Sequence, residues 1–187
     1  MKKSISIALL ASLIGTAAMA HPGHGAIFTF SEGLEHPAAG LDHILAMVGI
    51  GLWASFYKDL KGLLLPVGFV SGMLLGVTFA FTGIALPMVE NIIALSVIII
   101  GLALAFKDKV PVYAAASLAL IAGTFHGFAH GAEASNIAVS YVAGFMISTI
   151  FMHAIGGFAG LKFKALRDAA PYFGGFMGVA GLLMLAS

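Results

Sequence analysis

Seven ionisable side chains stand where an apolar chain has little reason to keep them: His36, Asp42 and His43 in one stretch, Glu90 in a second, and His126, His130 and Glu133 in a third. His126, His130 and Glu133 are spaced i, i+4 and i+7, so on a helix they project from one face. Imidazoles and carboxylates on such a face, in a chain with no thiolate, are ligands for divalent ions of intermediate softness: Ni, Co, Zn, Mn or Fe(II). His36 and His43 are seven residues apart with Asp42 beside the second, so two helical turns present both rings to one neighbour if the helix reaches back to His36. Pro37 suits the first turn of such a helix, where its missing N–H is no loss. Mixed His/Asp/Glu ligation also lets an ion go more readily than a closed thiolate cage, and the carboxylates can double as proton acceptors. The competing reading is a set of His–acid pairs that only hold helices together. Seven groups from three separate stretches at a similar depth favour metal or proton chemistry.

The elements that position these residues must live in a bilayer. The 187 residues are 60% hydrophobic and 9% charged, with a mean hydropathy of +1.06, against about 25% charged residues in an ordinary soluble domain. At roughly twenty residues per crossing, the chain has length for about six or seven spans and none for a separate catalytic domain. The net charge of +1 supplies no basic stripe, which excludes nucleic acid as a partner. Cysteine is absent, so disulfides and thiolate metal sites are excluded, while nine Met leave a thioether route to Cu(I) formally open.

Residues 1–20 open with Lys2 and Lys3, pass through an apolar run around Ile7 to Ile14 and end Ala18-Met19-Ala20, the pattern of a cleaved signal peptide. Residues 21–37 then form a periplasmic N-terminal segment, and residues 38–187 an all-α membrane domain, a polytopic bundle of six transmembrane helices. The six apolar stretches are 38–57, 62–82, 86–106, 112–131, 136–157 and 170–186. Every basic residue of the mature chain falls in three connections: Lys58 and Lys61, Lys107 and Lys109, and Lys162, Lys164 and Arg167. The positive-inside rule places those three in the cytoplasm and both mature termini in the periplasm, which makes this a multi-pass inner-membrane protein.

The remaining features are weaker. His21 and His24, with the new α-amine, form either a periplasmic metal-capture arm or a disordered terminus. Glu32 and Glu35 either attract cations or are simply solvated. His153, nearer the cytoplasmic side, is either a downstream ligand on an exit path or a single satisfied core histidine. Glycines at small-xxx-small spacing, such as Gly68/Gly72/Gly76 and Gly156/Gly160, serve close helix packing, and Phe and Met serve packing or lipid contact.

His36-Pro37-Ala38-Ala39-Gly40-Leu41-Asp42-His43 and Phe125-His126-Gly127-Phe128-Ala129-His130-Gly131-Ala132-Glu133 resemble the two signature motifs of the HupE/UreJ family of bacterial nickel and cobalt permeases. The likeness covers essentially the whole chain. It implies uptake of Ni(II) or Co(II) as the transported ion, with no prosthetic group and no enzymatic activity. It further implies a supply line to hydrogenase, urease or cobalamin pathways, with His36, Asp42, His43, Glu90, His126, His130 and Glu133 along the metal path. The resemblance does not choose between nickel and cobalt. No GxxxxGK[ST] segment is present, so ATP hydrolysis would have to come from a partner. Two other readings stay open on the ligands alone: an intramembrane metallohydrolase with Glu133 beside an activated water, and an accessory protein that binds metal without moving it.

Overall fold

The computed structural model describes residues 29–106, 109–134 and 139–187, and these are helical with no strand among them. The signal peptide, His21, His24 and Lys107 lie outside the described residues. The helices are α1 (Phe30–Ala39), α2 (Leu41–Ala54), α3 (Leu64–Phe81), α4 (Val89–Phe106), α5 (Val112–Glu133), α6 (Val139–Lys162) and α7 (Lys164–Ala186), with a 3-10 turn at Asp59–Leu63 before α3. Five segments, from the 3-10 turn with α3 through α7, have the length and apolarity of a membrane span, and α1 with α2 makes a sixth, broken one.

That broken span corrects the simple first helix read from hydropathy. The segment expected at 38–57 is two helices meeting at 86°. Pro37 lies near the end of α1, not in a first turn. Its missing N–H removes a bond to the Gly33 carbonyl, and Gly40 then takes an extended conformation (φ −99°, ψ 125°) as the N-cap of α2. α1 begins with a capping box: the Glu32 carboxylate accepts from the Thr29 amide at 2.6 Å, and the Thr29 hydroxyl accepts from the Glu32 amide at 3.2 Å. Glu32 thus has a structural task.

α2 is the innermost helix; Ala46, Met47, Ile50 and Trp53 have no exposed surface. The outer helices pack in pairs, α3 on α5, α4 on α7, and both α1 and α2 on α6. Association in lipid draws on close packing more than on hydrophobic force, which favours small residues at the crossings. A Cβ at Gly72 or Gly76 would run into the α5 backbone at Leu120 or Thr124, and one at Gly156 into the Val48 carbonyl of α2. Gly101 and Gly174 sit on each other's carbonyls between α4 and α7. Outward-facing Phe151, Phe158, Val179 and Leu182 are exposed, as a lipid-facing surface requires.

The basic connections gather at one end. The Tyr57 hydroxyl donates to the Val110 carbonyl at 2.8 Å, tying the turn after α2 to that before α5. The Arg167 guanidinium stacks 4.9 Å from the Phe56 ring centre, tying in the α6–α7 junction. The His-rich residues occupy the opposite half, around the α1–α2 break and the C-terminus of α5.

Candidate metal site

Three elements bring the histidines together. α1 supplies His36 in its last turn, α2 supplies Asp42 and His43 in its first, and α5 supplies His126 and His130 from its buried face and Glu133 at its end. The 86° bend, not a continuous helical face, brings the two N-terminal histidines together, with ring centres 6.4 Å apart.

The rings form a ladder. His36 lies 4.8 Å from His130, His130 lies 4.6 Å from His43, and His43 lies 5.0 Å from His126. At the outer rung Nε2 of His36 is 3.1 Å from Oε2 of Glu133, and the two side chains are 36% and 56% exposed. One ligand atom each from His36, His130 and Glu133 lie within 4.8 Å of one another, close enough to hold a metal ion. Moving inward the site dries out: His130 is 1% exposed and His126 not at all.

Hydrogen bonds set which nitrogens are free. Asp42 Oδ1 is 2.9 Å from His43 Nδ1; a carboxylate accepts, so the proton sits on Nδ1 and the lone pair on Nε2, which is buried and has no partner. Ser96 of α4 spends its hydroxyl proton on the Ile93 carbonyl at 2.7 Å. Its oxygen, 3.1 Å from His126 Nε2, therefore accepts from the ring and leaves the lone pair on Nδ1, also buried and without a partner. Nε2 of His130 is likewise buried and unpaired. Buried imidazole nitrogens with no acceptor or donor opposite them are costly unless a ligand completes them.

The surroundings fix the rings. Phe145 of α6 stacks on His130 at 4.8 Å and 27°, and Tyr141 meets His36 edge-on at 5.8 Å. Phe69 of α3 closes the inner end, 5.4 Å from His126. Asp42 and His43 fill the space above Gly40, where a Cβ would lie 2.7 Å from each. The break also sets the N-terminus of α2 next to the Asp42 carboxylate, a favourable place for negative charge. Discontinuous helices meeting at an ion path are a recurrent transporter device.

Of the seven residues read from the sequence, six line this ladder or support it. Glu90 stands apart, exposed at the start of α4, one residue beyond Val89 and the left-handed Met88 (φ 54°). Sequence reasoning missed Ser96, although a hydroxyl inside an otherwise apolar span was a readable signal. It also missed Phe69, Tyr141 and Phe145, which nothing in a chain with 15 Phe and four Tyr distinguishes.

Helices of spanning length around a buried file of imidazoles define a multi-pass membrane protein with a polar site inside its bundle. The family described as HupE / UreJ protein matches residues 8–184. Protein HupE of Rhizobium leguminosarum bv. viciae is 43% identical over 185 residues, covering 97% of this chain and 96% of that protein. The chain belongs to the HupE/UreJ family. No solved structure matches it.

Proposed function

We propose that this protein is a secondary permease that takes up a divalent transition ion, nickel or cobalt, across the bacterial inner membrane. The observation that carries this reading is the ladder itself, in which free lone pairs on His43 and His126 lie just inside the His36–His130–Glu133 group. An ion enters from the periplasm at the half-exposed Glu133, exchanges water for imidazole nitrogen at His36 and His130, and passes to His43 and His126. Each handover replaces one ligand with a neighbour of the same kind, so no rung is a deep trap. Asp42 and Ser96 act from behind, holding His43 and His126 with their lone pairs available.

The three basic connections at one end support a cytoplasmic placement of that end, with the His-rich end and both termini periplasmic. Cobalt and nickel share these ligand preferences, and hydrogenase, urease or cobalamin pathways are the downstream consumers that family membership suggests. The test is uptake of radioactive nickel and cobalt into proteoliposomes holding the purified chain alone, with and without a pH gradient. Flux that Asp42→Ala abolishes is the expected result. Stoichiometric binding without flux would point to an accessory protein, and metal-dependent hydrolysis without flux to a metallohydrolase.

A further inference from the structure

α6 carries another imidazole that the ladder does not use. His153 is 4% exposed, yet neither of its ring nitrogens has a hydrogen-bond partner. The Thr149 carbonyl, one turn earlier, approaches the ring without closing a bond of normal geometry. A buried imidazole with neither nitrogen paired is costly unless a ligand completes it.

Two neighbours give the ring a direction. Phe69 lies 5.1 Å from His153 and 5.4 Å from His126, so a single aromatic side chain touches both imidazoles. On its other flank His153 lines an apolar groove of about 670 Å³ between α2, the 3-10 turn, α3 and α6, in the half of the bundle that carries the basic connections, with the exposed Leu63, Val67 and Phe158 at its outer rim. Asp59 is the carboxylate among the lining residues, and His153 the imidazole.

We propose that His153 is a second ligand station for the transported ion, which receives it past Phe69 and passes it toward Asp59 and the water beyond the basic end of the bundle. The proposal deepens the permease reading and rests on it. One imidazole completed by water binds far more weakly than the multi-ligand group at the outer end, which is what an exit requires. The mostly apolar walls offer few competing ligands, and Asp59 at the wall draws the departing cation onward.

Because the chain has no cysteine, a thiol placed at this position reports directly on metal. His153→Cys, purified and titrated with Co(II), is expected to develop thiolate-to-cobalt charge-transfer absorption, while Val179→Cys on the outer face of α7 gives none. His153→Gln in proteoliposomes is expected to slow uptake about tenfold or more, in line with the 10–100-fold cost of disturbing a metal's surroundings, with affinity at the outer group unchanged. Where the wild type carries flux, absence of the band or full flux in His153→Gln overturns the proposal and leaves the permease standing. A wild type without flux overturns the permease instead, and the band then decides whether His153 binds metal. Should His153→Cys fail to reach the membrane, Co(II) stoichiometry decides: one equivalent fewer in His153→Gln supports the station, and equal binding overturns it.

Discussion

Nε2 of His36, in the last turn of α1, lies 3.1 Å from Oε2 of Glu133, the final residue of α5. This contact joins the two sequence motifs, which are separated by most of the bundle in chain order, and it does so at the half-exposed mouth of the ladder. A pair this open adds only about 0–1 kcal/mol to stability. Glu133→Gln should therefore leave the melting temperature almost unchanged in a thermal-shift assay while uptake falls about tenfold or more. A large loss of stability with normal uptake per folded molecule would reassign the pair to structure.

Asp42 holds the His43 ring, and on the proposed reading it acts on metal through that ring. Asp42→Asn keeps the size of the side chain but presents an amide that can face His43 Nδ1 with either its oxygen or its NH2, so the lone pair is no longer held on Nε2. Isothermal titration with Ni(II) should show affinity weakened about 10–100-fold. Affinity equal to wild type would mean that His43 Nε2 is not a ligand.

Ser96 is the equivalent support for His126. Ser96→Ala removes the oxygen that accepts from Nε2, frees the ring to exchange tautomers and leaves a buried donor unpaired, at about 1–3 kcal/mol. Initial uptake should drop severalfold with membrane levels preserved, and Ser117→Ala, an exposed hydroxyl bonded only within its own helix, should change nothing. Equal uptake in the two variants would remove Ser96 from the mechanism.

Crossings made by glycine hold α3 against the helix that carries His126 and His130. Gly76→Ala drives a methyl into the Thr124 carbonyl and the Phe128 amide, whereas Gly175→Ala meets nothing within 4 Å. The first should cost about 1–3 kcal/mol by overpacking and lower uptake with it; the second should be neutral. Thermal unfolding in detergent compares them, and equal melting temperatures would show that α3 and α5 can separate freely.

The proposed sidedness can be tested in the same way. In a chain without cysteine, Lys58→Cys should react with a membrane-impermeant thiol reagent only after the cytoplasmic face is opened. Met88→Cys, at an exposed turn, should react in intact spheroplasts. The reverse pattern would invert the proposed direction of transport.

Much was legible before any fold. Hydropathy depends on composition along the chain, so it located the middle apolar stretches to within a few residues but missed where the first and last helices begin, at Phe30 and Lys164, and the i, i+4, i+7 spacing in α5 put His126, His130 and Glu133 on one side because helical periodicity is local. Charge counting collected Lys58, Lys109 and Arg167 in connections that do meet at one end, through the contacts of Tyr57 with Val110 and Arg167 with Phe56.

The rest is tertiary. No local rule told that His36 and His43 meet across an 86° break, because a proline and a glycine within four residues allow a kink without setting its angle; packing of α1 on α6 sets it. Likewise Ser96 and Phe69 reach the histidines only through contacts between segments distant in sequence, and Glu90 stays outside although it shares their chemistry and depth. The sequence by itself determined which residues are too polar for lipid and which half of each span they occupy. Only the assembled bundle decided which nitrogen of each ring is free, since that depends on what another helix places against it.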